Sequence, residues 1–174
     1  KGLPVFNYSI AYDTDNREPL FYEQYPGSIV DISQLQFMLQ KVQGYGYRQV
    51  GFILDRGYFC KENIKYMDQC GYDFVIMVKG MNSLVRNLIL ENKGKFENIR
   101  EYSIRQYKCS GMTVKRQLYS SDEEERYFHI YYSDQKACAE HEQVEGKIDR
   151  MMKYLNSIKG QKVNVGDGFK EYFH

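Results

Sequence analysis

Two short, uninterrupted apolar runs constrain the fold of this chain more than any other feature. QVGFILD and DFVIMVKG are each long enough for one strand, and segments with helical spacing border both of them. A strand with apolar side chains on both sides of its pleat is typical of a sheet that is buried on both faces. Because such strands alternate with helices along the chain, the pattern indicates an α/β organisation.

The segments around these runs predict the rest of a mixed sheet. PVFNYSIAYD and LFYEQYP alternate in polarity and are joined by turn residues, which predicts an antiparallel hairpin at one side of the sheet. Helices are predicted at 31–43, at 61–69 and after Ser83, because apolar residues recur there at helical spacing. The apolar face of the first helix consists of Ile32, Leu35, Met38, Leu39 and Val42.

The pattern changes near residue 95. YSIRQYKCSG, TVKRQLYSS and ERYFHIYYS predict three further strands, joined by a glycine turn and the acidic loop SDEEE. Residues 134–159 then predict one long polar helix, in which Gly146 has poor helix propensity. We therefore predict two domains, a core at 1–94 and a β-rich insertion with a long C-terminal helix at 95–174.

Composition excludes some classes of protein and leaves others open. Lys and Arg number 24 against 23 Asp and Glu, so the net charge neither demands nor excludes a nucleic-acid partner. The four cysteines form no CxxC pair, which favours free thiols in a reducing compartment over a metal-thiolate site. No apolar run approaches the ~20 residues of a membrane span. We therefore expect a cytoplasmic protein with no membrane partner.

Asp55 is the leading candidate for chemistry. It ends the first apolar run, and ligands in open α/β sheets gather beyond the carboxyl ends of the strands. A carboxylate there can bind Mg²⁺, but the same position suits a cap on the next helix or an ion pair with Arg56. Spacing alone leaves these alternatives open. Asp31 suits a helix N-cap, and turn chemistry explains Asp13.

A group of cations marks the predicted hairpin in the second half of the chain. KCSGMTVKRQ carries Lys108, Lys115 and Arg116, and the last helix adds a second basic stripe. Such residues can hold phosphates or simply form a solvated face. The chain has neither a P-loop motif nor a GxGxxG motif after a strand, so a nucleotide-phosphate cradle is not supported.

Two segments in order resemble the catalytic domain of bacterial insertion-sequence transposases of the DDE type. The first is YPGSIVDISQL, in which Ser28 stands where the family usually has asparagine. The second is VGFILDRGYFCKENIKYM, followed by CGYDFVIMVKG. YYSDQKACAEHEQVEGKI also looks like part of the family's insertion. The resemblance implies an RNase H-like fold and metal-dependent DNA cleavage and strand transfer, in the bacterial cytoplasm.

The same resemblance implies the chemistry of the site. In this family three carboxylates hold two Mg²⁺ or Mn²⁺ ions, which activate the attacking oxygen and stabilise the leaving oxygen at phosphorus. Asp55 matches the second of the three carboxylates. Asp31, Arg56 and Gly57 match positions that support the site. DNA is the implied partner, with a homo-oligomer as the active form, and Lys108, Lys115 and Arg116 are the expected DNA contacts.

The resemblance also implies that parts of the family's domain lie outside this chain. The first carboxylate and the first strand of the fold are expected before Lys1, and no segment before His174 matches the one that bears the final glutamate. We therefore expect a central fragment that is inactive by itself. Two alternatives remain. One is a catalytically dead RNase H-like module that binds nucleic acid or a partner, and the other is a stand-alone nuclease in which Asp13, Asp31 and Asp55 converge.

Overall fold

The computed structural model describes residues 5–27, 31–47, 50–162 and 164–173, and within these ranges the side chains of Asp31 and Ile32 are not described. The chain divides into two compact units, Lys1–Ser83 and Leu84–His174. We call them the first and the second unit and describe each by itself. The predicted domains, 1–94 and 95–174, are a different division and stay a prediction.

The first unit begins with the expected hairpin. Strand β1, Phe6–Asp13, pairs antiparallel with β2, Glu18–Pro26. The turn between them is closed by the Asp13 carboxylate, which accepts hydrogen bonds from the backbone N–H groups of Asp15 at 2.8 Å and Asn16 at 3.1 Å. These bonds are typical of an Asx turn, so the structural explanation of Asp13 is confirmed.

Helix α1, Asp31–Gly44, forms the centre of the first unit's core. It contacts the 3-10 turn at Arg56–Tyr58 and helix α2, Lys61–Gln69, whose bounds agree with the prediction. The predicted apolar face of α1 is confirmed for every member whose side chain is described, while Ile32 falls outside that description. The buried apolar residues of this core are Tyr25, Leu35, Met38, Leu39, Val42, Phe59, Ile64 and Met67.

The two apolar runs form a short parallel pair. Strand β3, Gly51–Leu54, pairs with β4, Asp73–Ile76. The prediction that both strands are buried on both faces was wrong, because exposure alternates along them and Ile53 and Val75 are 77% and 55% exposed. Helix α2 contacts β4 and covers one face of this pair of strands. Apolar residues on the other face therefore stay in contact with solvent.

The predicted single mixed sheet is replaced by smaller sheets. Among the described residues the β1–β2 hairpin and the β3–β4 pair are separate, and no ladder of hydrogen bonds joins them. The mixed α/β class is confirmed, whereas the RNase H-like strand arrangement stays a prediction. The difference is physical: alternation and turn residues specify a hairpin locally, but the joining of two strand pairs depends on edges that are distant in sequence.

The second unit contains the predicted β-rich region. An antiparallel sheet is formed in the order β5-β6-β7 by Ser103–Ile104, Cys109–Arg116 and Arg126–Tyr132. The first predicted strand is interrupted, because a 3-10 turn at Arg105–Tyr107 lies between β5 and β6. Lys108 follows this turn with a left-handed φ of 49°.

Helices complete the second unit. Helix α3, Asn82–Asn92, begins at the boundary between the units, and its Leu88 is buried, as are Phe96 and Leu118 further along the chain. The predicted long helix is α4, Asp134–Ser157, which continues through Gly146 without a break. A short helix, α5 at Asp167–Lys170, follows it.

Candidate functional site

Asp55 lies directly after strand β3, in an extended conformation, and its side chain is exposed. Its Oδ1 accepts a hydrogen bond from the backbone N–H of Gly57 at 2.7 Å. This bond caps the 3-10 turn at Arg56–Tyr58 and holds the carboxylate at the end of the strand. None of the described residues donates a hydrogen bond to Oδ2, so within that part of the chain this oxygen has no partner.

Arg56 and Gly57, which follow Asp55, have different roles. Asp55 caps the 3-10 turn and not the predicted helix α2, whose N-cap is Cys60. Among the described residues no ion pair joins Asp55 to Arg56. Arg56 is exposed, so its guanidinium is available to an anion. Gly57 lies outside the left-handed region, and its observed role is therefore the N–H that it donates to Asp55, not an unusual turn conformation.

A buried polar network supports the loop that follows Asp55. Ser9 on β1 is 4% exposed, its Oγ lies 2.8 Å from Tyr58 Oη, and it donates to Tyr25 Oη at 3.3 Å. Asn63 on α2 is 1% exposed and donates from Nδ2 to the backbone oxygen of Tyr58 at 2.9 Å. The loop is thereby tied directly to β1 and α2, and through Ser9 to Tyr25 of β2, which limits its movement.

This network was not predicted from the sequence, although two positions in the sequence indicate it. Asn63 lies with Ile64 and Met67 on the buried face of α2. The helical repeat leads one to expect an apolar residue at this position. Ser9 lies at a buried position of β1, between residues that face solvent. A polar residue in a buried phase needs a partner, so both positions indicate buried hydrogen bonds.

Cys60 begins the helix that follows the loop. Its Sγ accepts a hydrogen bond from the backbone N–H of Asn63 at 3.4 Å and occupies the N-cap of α2. Burial raises the pKa of the Cys60 thiol above its ordinary value of 9.0. The thiol is therefore protonated at neutral pH, and its role here is structural and not nucleophilic.

The two-ion site implied by the resemblance is not formed by the described side chains. Among them, no group of three or more His, Cys, Asp and Glu residues comes together in a way that could hold a metal ion. Asp13 is engaged in its turn, and the side chain of Asp31 lies outside the described residues. Asp55 fits the requirements of one ligand, but it does not make a complete site.

The three predicted DNA contacts have different surroundings in the second unit. Lys115 Nζ lies 4.7 Å from the centre of the Tyr127 ring, in a cation–π contact. Arg116 forms an ion pair with Glu91. Lys108 instead lines a cleft of about 460 Å³. The three cations are therefore not equivalent, since Lys115 and Arg116 each have a neighbouring group that stabilises the positive charge.

Two further findings concern the chain as a whole, namely the character of its helices and its similarity to known proteins. No described helix has both the length and the apolar character that a membrane span requires. Searches of curated proteins and of solved structures gave no significant match. A family model described as the transposase DDE domain matches residues 1–154. Since this match covers most of the 174 residues and confirms the resemblance to insertion-sequence transposases, the chain belongs to the transposase DDE domain family.

Proposed function

We propose that this chain provides the second catalytic carboxylate of an insertion-sequence transposase that cleaves and joins DNA in the bacterial cytoplasm. The family membership supports DNA as the partner and divalent metal ions as the cofactor, because this family generally uses such ions. The observation that carries the proposal is the position of Asp55, at the end of β3 with one oxygen that has no partner among the described residues. Asp55 thus supplies one ligand of the two-ion site.

The surroundings of Asp55 suit such a ligand. Its cap to Gly57 fixes the direction of the carboxylate, and the network of Ser9, Tyr58 and Asn63 fixes the loop. A ligand held in this way loses little conformational entropy on binding a cation. Arg56 lies beside it in the sequence and is exposed, which supports a role for its guanidinium in contacting a phosphate of the DNA.

We propose further that the chain by itself does not cleave DNA. Two ions that together stabilise the attacking and leaving oxygens need several ligands, and one carboxylate cannot hold both. The alternative function is a catalytically dead module that binds nucleic acid or a partner. The described side chains form no complete metal cluster, which agrees with both functions. The two functions differ in whether Asp55 binds a metal ion.

A Mn²⁺ titration followed by NMR line broadening tests the role of Asp55. We expect weak broadening centred on residues 54–58, because Mn²⁺ is paramagnetic and binds the free carboxylate oxygen. Asp55→Asn keeps a capping oxygen but removes the charge, so this variant should lose the broadening. Asp13→Asn is the matched control, since it removes one exposed carboxylate within the same unit, and it should leave the broadening unchanged.

The outcomes separate the two functions. Broadening that persists in Asp55→Asn shows that Asp55 is not the ligand responsible. Broadening that is absent from the unmodified chain removes the support for Asp55 as a ligand and favours the dead module. Nicking of supercoiled DNA in Mg²⁺ or Mn²⁺ checks the second proposal, and we expect none. Metal-dependent nicking that disappears in Asp55→Asn contradicts the proposed inactivity, while it preserves Asp55 as a ligand.

A further inference from the structure

The second unit contains a cleft that the site of Asp55 does not use. It has a volume of about 460 Å³ and lies between two 3-10 turns, the beginning of β6 and the beginning of α4. Its lining includes the cationic residues Arg100, Arg105 and Lys108. All three belong to the connections around the short strand β5, and all three are exposed.

Within the described part of the chain, these three cations have no paired acidic partner. Among the described residues, none forms an ion pair or a hydrogen bond with the side chain of Arg100, Arg105 or Lys108. Other cations of the unit do have acidic partners, as Arg116 has Glu91 and Lys170 has Asp167 at 2.6 Å. Like charges that line one cleft repel each other, and a bound anion relieves that repulsion.

Asp134 is the one carboxylate among the described residues of the lining, so the three cations outnumber the acidic charge there. Asp134 accepts a hydrogen bond from Asn98 Nδ2 at 3.5 Å. Its hydrogen bond with Tyr132 raises the pKa of the Tyr132 phenol above 10.0, so the phenol remains a donor at neutral pH. The acidic group is therefore held at the α4 side of the cleft by neighbouring donors.

Two residues of the cleft have a left-handed backbone conformation. Asn98 and Lys108 have left-handed φ angles of 59° and 49°, and both residues line the cleft. Within the described part of the second unit, no other residue except glycine has this conformation. This region is unfavourable for a lysine and more readily adopted by an asparagine, and Lys108 adopts it as the C-cap of the turn at Arg105–Tyr107.

We propose that this cleft binds the phosphodiester backbone of DNA through Arg100, Arg105 and Lys108. An open cleft with three separate cations suits a polyanion, and guanidinium groups match phosphate oxygens in geometry as well as in charge. The inference rests on the proposed function in one respect, the choice of DNA as the polyanion. It assigns the principal phosphate contact to the cleft and not to Lys115 or Arg116, whose charges have partners.

Salt-dependent DNA binding by the whole chain tests this assignment. Fluorescence anisotropy with a labelled duplex of mixed sequence, at salt concentrations from about 50 to about 200 mM, gives the slope of log K against log salt. The test variant is Arg100→Gln with Arg105→Gln and Lys108→Gln. The matched control is Arg150→Gln with Lys153→Gln and Lys159→Gln, which removes the same charge from exposed positions of the same unit.

We expect the cleft variant to bind more weakly and to reduce the magnitude of the slope by about 2 to 3, near 0.9 for each lost phosphate contact. The control should keep a slope close to that of the unmodified chain. Circular dichroism should show that both variants remain folded, because every substituted residue is exposed.

The opposite results overturn the inference in distinguishable ways. If the cleft variant and the control lose the same affinity, DNA contacts the unit without a specific role for the cleft, and the proposed function survives. If Lys115→Gln with Arg116→Gln reduces the slope more than the cleft variant does, the contact lies on β6. If the unmodified chain binds no duplex at about 50 mM salt, the cleft assignment and the DNA-binding part of the proposed function both fail.

Discussion

At the scale of the residue, Asp55 combines a structural and a chemical role. One carboxylate oxygen caps the turn at Gly57, and the other is free of described partners. The sequence showed that a carboxylate follows an apolar strand, but it left capping and metal binding as alternatives. The geometry makes them compatible, because each role needs only one oxygen.

The capping role predicts a difference between two substitutions of Asp55. Asp55→Asn keeps a side-chain oxygen that accepts from the Gly57 N–H, so the free energy of unfolding should change little. Asp55→Ala removes the acceptor and should lower that free energy by about 1 kcal/mol. Urea denaturation of both variants measures the difference. Equal stability of the two variants means that the observed hydrogen bond contributes nothing.

At the scale of the element, glycines in a helix and in a strand are expected to respond in opposite ways. A Cβ at Gly146 of α4 meets nothing within 4 Å, whereas a Cβ at Gly111 of β6 lies 2.9 Å from Tyr131 Cδ1 and 3.0 Å from Ile104 Cδ1. Gly146→Ala should therefore stabilise the chain by about 0.5–1 kcal/mol, through helix propensity. Gly111→Ala should destabilise it, because the Tyr131 ring must move.

Thermal denaturation of the two variants checks both signs. A lower melting temperature for Gly146→Ala implies that α4 does not remain a continuous helix in solution. An unchanged melting temperature for Gly111→Ala implies that the ring of Tyr131 moves aside without cost, and that the close packing across β6 and β7 is not important for stability.

The elements themselves were predicted with uneven success. Helix α2 has its predicted bounds because its helical spacing of apolar residues stops where turn residues begin, both before and after the helix. The strand expected in YSIRQYKCSG was interrupted at Arg105–Tyr107, because a 3-10 turn needs no distinctive sequence pattern. This interruption brings Lys108 into the cleft, and the cleft was therefore invisible in the sequence.

At the scale of the whole molecule, stability should fall at both extremes of pH. The backbone N–H of Asn16, together with other donors of the turn, lowers the pKa of Asp13 below 3.8. The backbone N–H of Glu62 itself lowers the pKa of that residue below 4.5. A lowered pKa in the folded state contributes stability above the unfolded value, and this contribution is lost as pH falls through the folded pKa.

The raised pKa values act at the alkaline side. The pKa of Cys60 is raised above 9.0, chiefly by burial, and its contribution is present below that value and lost as pH rises through the folded pKa. Melting temperature against pH should therefore show a plateau at neutral pH and two limbs. Asp13→Asn with Glu62→Gln should flatten the acid limb, and Cys60→Ser should flatten the alkaline limb. Limbs of unchanged steepness contradict these assignments.

The sequence alone indicated the family, the helices and most of the strands, because hydrophobic period, turn residues and an ordered pair of segments are local properties of the chain. It predicted the position of Asp55 at the end of a strand and the apolar face of α1. Only the tertiary structure decided how the strands pair, which faces stay exposed, how Ser9 and Asn63 support the loop, and which cations lack partners. These depend on contacts between residues that are distant in sequence, and the packing of side chains, not their order, selects among them.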